Sequence, residues 1–265
     1  MAPFSSSTAF CGVAVMAKAS QPGITKTRLC PPLTFEEAAK FNTAFVKDIA
    51  ENIIAAAAET SLAGAMAYGP PNGEAFFREH LPGEIALYEV WRADFGECLS
   101  EAMKRLFEAG RGAACVLNSD SPTLPASLLT EMVDVLSRPG DRAVLGPSSD
   151  GGYYLLACKK LHPRLFEDVA WSTEAVTAQT LERAAEIGLP VHILPEWYDV
   201  DDGASLKLLS KELLEGRRFS AALRSSPAPH STALLKTMFA NANLGERLDR
   251  FLTRGAMNSL SEAAA

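Results

Sequence analysis

The chain lacks a cysteine framework. Its five cysteines (Cys11, Cys30, Cys98, Cys115 and Cys158) are odd in number, widely spaced and contain no CxxC pair. Cys11, Cys115 and Cys158 stand in apolar runs and read as small buried hydrophobes, which suits a reducing, cytoplasmic setting. The four histidines (His80, His162, His192 and His230) share no metal-ligand spacing, which argues against a structural zinc site. Long apolar runs are missing: none approaches the roughly 18 residues of a membrane span. Residues 1–10 have neither the basic nor the apolar stretch of a secretory signal. Excess positive charge is missing too. A net charge of −7 argues against a broad nucleic-acid footprint and leaves room only for a local basic pocket. No GxGxxG or GxxxxGK[ST] occurs, so dinucleotide-fingerprint and P-loop readings fail. No Ser/His/Asp or Cys/His order supports nucleophilic hydrolysis.

What remains is ordinary globular composition: 265 residues, 48% hydrophobic and 22% charged. A chain of this size buries about 70–75% of its unfolded surface, enough for one α/β domain without staples. Residues 11–17 form a short run of small and β-branched side chains that predicts the first, central strand. A loop with Pro22, Gly23, Pro31 and Pro32 follows, and Thr34 then caps a helix that Phe41, Phe45, Ile49 and Ile53 carry to about residue 59. Further strands are predicted at 61–68, 85–91, 113–117, 142–146, 153–157 (pairing back antiparallel) and 190–194. Helices are predicted at 73–80, 97–109, 126–136, 173–187 (capped by Ser172 or Thr173) and 204–215. This alternation gives a mainly parallel sheet with helices on both faces. Residues 1–10 read as loose and 11–218 as the domain. Residues 219–265 read as a linker around Pro227 and Pro229 followed by short helices at 231–240 and 244–252, with 258–265 frayed. The amphipathic tail suits packing on the core or a homodimer.

The candidate site gathers at the carboxyl ends of the predicted strands, where open α/β sheets bind ligands. Lys18, Lys26 and Arg28 follow the first strand with no acid among them. Polyphosphate needs such converging cations, although a solvated basic loop gives the same composition. Asp120 lies in Asn118-Ser119-Asp120-Ser121-Pro122-Thr123-Leu124-Pro125, just after a buried strand; Asp150 and the pair Asp199/Asp201 also end predicted strands. Their oxygens suit Mg2+ or Mn2+ with bound phosphate, or each is a helix cap or Asx turn. Asp150-Gly151-Gly152-Tyr153-Tyr154 lets backbone approach a ligand closely or makes a hairpin turn. Trp171-Ser172-Thr173 faces an acceptor or caps a helix behind a packing Trp.

Taken together, Met16-Ala17-Lys18, Pro22-Gly23, Lys26-Thr27-Arg28-Leu29, the Asp120 octamer, Gly146-Pro147, Asp150-Gly151-Gly152-Tyr153-Tyr154-Leu155, Trp171-Ser172-Thr173, Gln179-Thr180-Leu181 and Asp199-Val200-Asp201 resemble a bacterial glycosyltransferase-A-like family. That family sits in the nucleotide-diphospho-sugar transferase superfamily, and some members are linked to arsenosugar biosynthesis. The likeness spans about residues 12 to 216. The Lys…Lys-x-Arg-Leu opening and the Asp-Gly-Gly turn are also similar to 2-phospholactate guanylyltransferase. The resemblance implies a three-layer sandwich of the GT-A type. It places Lys18, Lys26 and Arg28 at phosphates and Asp120 on a divalent metal, with Asp201 and Asp199 as further metal or phosphate-side carboxylates. It lines the acceptor pocket with Asp150, Gly151, Gly152, Tyr153, Trp171, Ser172 and Thr173, and gives the catalytic roles to Lys26, Asp120 and Asp150. It implies glycosyl transfer from a nucleotide sugar to a small acceptor. The alternative is nucleotidyl transfer from a nucleoside triphosphate, and a non-catalytic nucleotide binder is a third reading. The chain departs from the family pattern at Asn118 (commonly Gly), Cys98 (Arg) and Ser205 (often acidic).

Overall fold

A computed structural model describes residues 9–263. Strand β1 (Cys11–Ala17) pairs in parallel with β2 (Leu62–Tyr68) on one side and β4 (Ala113–Asn118) on the other. Its side chains are buried on both faces, which is why it reads as a continuous apolar run rather than an alternating one. β3 (Ala86–Glu89) adds in parallel to β2 as an edge. β6 (Tyr153–Cys158) pairs antiparallel with both β4 and β5 (Ala143–Pro147), and β7 (Val191–Ile193) closes the far edge parallel to β5. The order is β3-β2-β1-β4-β6-β5-β7.

Helices cover both faces. One face packs on α1 (Phe35–Ala57), α4 (Ala126–Ser137) and α6 (Gly203–Glu215); the other packs on α3 (Phe95–Glu108) and α5 (Val176–Glu186). A short α2 (Glu74–His80) precedes β3. α1 starts as the sequence predicts: Thr34 Oγ1 accepts from the Glu37 amide at 3.2 Å and Glu37 returns the bond to the Thr34 amide at 2.8 Å. The alanine- and glycine-rich β2 has a packing reason. A Cβ on Gly64 would stand 2.7 Å from both Ile53 of α1 and Ile85.

Four expectations change. α5 begins at Val176, not 173, because Thr173 Oγ1 is bonded to the Ala170 carbonyl at 2.7 Å inside a turn. The segment around Pro227 is no free linker: Ser226 N donates to Thr123 O, and Ser226 Oγ accepts from the Ala126 amide, both at 3.0 Å, so it caps α4 from 100 residues away. The tail is longer and better packed than its composition suggests. α7 (Pro229–Asn241) lies on α1, and α8 (Leu244–Ala263) continues through most of the stretch expected to fray; positions 264–265 lie outside the described residues. Leu235, Leu244 and Leu248 are buried in the main core, so these apolar residues of the tail pack on the chain itself. At the other end, Ala9 is buried and the Phe10 amide donates to Ser61 Oγ at 2.9 Å, so the loose segment does not reach them; 1–8 lie outside the described residues.

The tail is anchored by a buried carboxylate. Asp48 on α1 accepts from the His230 and Ser231 amides, each at 2.9 Å, and from the Ser231 hydroxyl, satisfying the first turn of α7. Asp48→Ala is expected to cost about 2–4 kcal/mol by leaving those donors unpaired in the core. A lowered denaturant midpoint with an unchanged slope checks this.

Candidate active site

The carboxyl ends of β1, β2 and β4 open onto a cavity of about 530 Å³ between the sheet, α3 and the loop after β1. That loop is held to α1 by Asn42, whose Nδ2 donates to the Lys18 carbonyl at 3.1 Å and to Ser20 Oγ at 2.8 Å. Lys26 sits in the left-handed region, φ +55°, and begins a one-turn 3-10 segment, Thr27–Leu29. The bend turns its side chain inward. The ammonium donates to Asp201 Oδ1 at 2.8 Å and the Val200 carbonyl at 3.0 Å and pairs with Asp120 Oδ1 at 2.7 Å, with only 7% of the side chain exposed. Burial pulls the Lys26 pKa down, and the neighbouring Asp120 carboxylate opposes that most strongly. Arg28 pairs with the second oxygen of Asp201 from the solvent side. Lys18 is exposed and has no ion-pair partner among the described residues.

Asp201 is positioned by the chain around it. The Val200 amide donates to the Asp120 carbonyl at 2.9 Å, tying the two carboxylate-bearing loops together. Asp202 caps α6, and Ser205 Oγ accepts from the Asp201 and Asp202 amides, each at 3.0 Å. The departure at Ser205 therefore closes a capping box and does not remove an acid from the site.

Asp150, Asp199 and Asp201 bring carboxylate oxygens within 4.8 Å of one another. Burial raises the Asp199 pKa, the Asp150 charge pushes the same way, and a 3.0 Å hydrogen bond from Ser148 opposes them. An all-oxygen, electron-rich set is the donor chemistry of Mg2+ and Mn2+. The grouping differs from the expected Asp120, Asp201 and Asp199: here Asp120 is matched to Lys26 and Asp150 takes the third place. Because folding disfavours the ionised Asp199, its charge costs stability above its folded pKa, and that cost disappears as pH falls through it. Asp199→Asn, which keeps the acceptor for Ser148, is expected to raise the denaturation midpoint at pH 8, with the gain shrinking toward pH 4.

The remaining expected site residues divide. Tyr153 and Ser172 line the cavity, the latter with φ +65°. Gly151 and Gly152 shape the β5–β6 hairpin. Gly151 has φ +89°, and a Cβ there would lie 2.3 Å from the Glu174 carbonyl oxygen; the Gly152 amide donates to Asp150 Oδ1 at 2.9 Å. They orient Asp150 and do not line the cavity wall. Trp171 packs edge-on to Phe95 at 5.5 Å and Tyr153 at 6.5 Å, and Thr173 caps its own turn. Trp171 keeps the packing role and Thr173 a turn-capping one, and neither is among the residues lining the cavity. Sequence reasoning missed Trp91 and Phe95, each 49% exposed on the cavity lip. Aromatics in a strand-to-helix loop at the same rim were the available signal. Cys98 lines the inner wall among apolar neighbours, so the Cys-for-Arg departure makes that wall uncharged.

The strand order, the antiparallel β6 inserted between β4 and β5, and the rim site define a nucleotide-diphospho-sugar transferase fold. The comparisons agree. Residues 52–173 match a family described as "Uncharacterized protein conserved in bacteria (DUF2064)". That stretch holds Asp120, Asp150 and Trp171, and leaves the cationic loop and Asp199 and Asp201 outside. The crystal structure of a protein from Desulfovibrio desulfuricans G20, provisionally described as a nucleotide-diphospho-sugar transferase, is 26% identical, with 92% of this chain and 98% of that one covered and a TM-score of 0.75. It bears out the fold that the resemblance implied. A cytidylyltransferase from Leptospira borgpetersenii is 11% identical over 89% of this chain and 96% of its own, at a TM-score of 0.48, too slight a likeness to bear on chemistry. No curated protein matches the chain.

Proposed function

We propose that the protein is a metal-dependent transferase that takes a glycosyl group from a nucleotide sugar and passes it to a small acceptor. The observation that carries this reading is the meeting, on one rim of a transferase-type sheet, of Lys18, Lys26 and Arg28 with Asp120, Asp199 and Asp201. Asp199 and Asp201, with Asp150 or Asp120, would hold Mg2+ or Mn2+. The ion, when bound, supplies concentrated positive charge for a diphosphate. Lys18 offers an open charge to the phosphates, and Arg28 can exchange its exposed carboxylate contact for a phosphate oxygen. Lys26, fixed by three acceptors, sets the field at the departing oxygen and costs no reorganisation there. Tyr153 and the Trp91–Phe95 lip exclude water from the bound donor.

A second reading is nucleotidyl transfer, favoured by three cations supplied from a single loop, a density suited to a triphosphate. One experiment separates the two. The protein is incubated with Mg2+ or Mn2+, panels of nucleotide sugars and nucleoside triphosphates, and candidate acceptors. Nucleoside diphosphate release supports glycosyl transfer; pyrophosphate release supports nucleotidyl transfer. Asp120→Asn is expected to abolish most acceptor-dependent turnover, and turnover with its metal dependence left intact would remove Asp120 from the site.

A further inference from the structure

The two loops that carry Asp120 and Asp199–Asp201 are tied together by a buried polar chain that does not touch the cavity. Thr123, Tyr198 and Glu212 are 0%, 1% and 8% exposed, and none of them lines the cavity. The Tyr198 hydroxyl donates to Glu212 Oε2 and stands 3.1 Å from Thr123 Oγ1. A phenol has one proton. With that proton on Glu212, the Thr123 hydroxyl must be the donor in the second bond. The other Glu212 oxygen accepts from the Ser225 hydroxyl. The chain of bonds therefore runs from the Asp120 loop, through Tyr198 and α6, to the segment that follows α6.

Other contacts repeat the same tie. The Ser121 hydroxyl donates to the Tyr198 carbonyl at 2.9 Å, and Ser226 N donates to the Thr123 carbonyl at 3.0 Å. Phe219 packs on Trp197 and Tyr198, with ring centroids 5.2 and 5.0 Å apart. A carboxylate this buried is costly unless its oxygens are bonded, and a network with every member satisfied rigidifies what it touches. Here it touches the site's supports. Tyr198 immediately precedes Asp199, whose oxygen meets those of Asp150 and Asp201, and Thr123 is three residues from Asp120. The Lys26 ammonium joins the same two loops at the cavity, through Asp120, Asp201 and the Val200 carbonyl. The loops are thus held twice, by Lys26 at the cavity and by Glu212 behind it.

We propose that Glu212 is a positioning residue: through Tyr198 and Thr123 it sets the spacing of the two loops, and with it the geometry of the Asp150, Asp199 and Asp201 oxygens. Ser225 makes the chain beyond α6 part of that support. The consequence for metal rests on the metal reading of the site. Groups that orient a metal's ligands without touching the ion typically cost about 10–100-fold in affinity when lost.

The test is Mn2+ binding by the full chain, measured by titration calorimetry, in the wild type, Glu212→Leu, Glu212→Gln and Tyr198→Phe, each with its unfolding midpoint. Glu212→Leu and Tyr198→Phe are expected to bind Mn2+ about tenfold more weakly, the lower end of that range. Glu212→Gln keeps both bonds: its carbonyl accepts from Ser225, its amide donates to Tyr198, and the Tyr198 proton turns to Thr123. It is expected to hold Mn2+ within a few-fold of the wild type, a recovery that a loss of stability alone would not produce. Tyr198→Phe removes only the hydroxyl and serves if Glu212→Leu does not fold. Unchanged Mn2+ affinity in the folded variants overturns the proposal, as does a Glu212→Gln as weak as Tyr198→Phe. A wild type that binds no Mn2+ overturns the metal reading instead, and a second readout then decides. Lys26 is enclosed between the loops and Lys18 is exposed. Acetylation by acetic anhydride, read by mass spectrometry, is expected to be several-fold faster at Lys26 in Tyr198→Phe than in the wild type, with Lys18 unchanged. Equal Lys26 rates overturn the proposal.

Discussion

Lys26→Met is expected to lower transfer by about a hundred- to a thousandfold, the range seen when one preorganised charge or donor is removed from a transition state. Methionine fills the same volume and leaves Asp120 and Asp201 facing each other without the ammonium that lies 2.7 and 2.8 Å from them. Arg28 still reaches Asp201, but it is exposed and contributes little in water. The stability cost is smaller, about 1–3 kcal/mol, since the two carboxylates are 28% and 22% exposed and water screens what the lysine no longer does. Single-turnover rates and a denaturation midpoint, measured on the same preparation, separate the two effects. Activity within a few-fold of wild type would mean that Lys26 is only a structural tie between the loops.

Asp201→Asn has the second large effect and a different signature. Asp201 holds Lys26 and Arg28 and also belongs to the oxygen cluster with Asp150 and Asp199. Its neutralisation removes charge from the cluster and frees two cations at once. Turnover is expected to fall about a hundredfold or more, and the Mn2+ concentration needed for half-maximal rate to rise at least about tenfold, as for the loss of one ligand's charge. Titrating Mn2+ against rate and against bound-metal signal checks both. An unchanged metal requirement would remove Asp201 from the ligand set.

The layout of the fold was legible because its cues are local. Small apolar runs mark the strands, Thr34 and Glu37 make a capping box within one turn, and the antiparallel β6 follows from a turn with two glycines. The rim was legible too, since a carboxylate or a cation just past a buried strand must lie at the carboxyl edge. The pairing was not. Lys26 and Asp120 lie on different loops, and nothing in either segment says that the lysine turns inward at positive φ to meet two carboxylates. Asp150 had two readings, a strand-end carboxylate beside Asp199 and Asp201 or an acceptor-pocket residue, and only the fold shows its carboxylate oxygen close to theirs. Trp171 and Thr173 show the converse ambiguity. Their side chains suit an acceptor, but packing on Phe95 and a turn hydrogen bond to Ala170 claim them first.

The anchoring of α7 on α1 has a consequence for how the chain is made. Asp48 meets Ser231 across 183 positions, and α4 waits for Ser226 to cap it. A ribosome adding about 5–20 residues per second needs on the order of ten seconds or more to pass from the end of α1 to the end of α7. Through that interval the apolar side of α1 that later receives Leu235 and Met238 is uncovered, and Asp48 has no amides to receive. Until the last helices emerge, that strip of α1 and the Asp48 carboxylate have no partner within the chain, so the fold is completed by the last segment to be made.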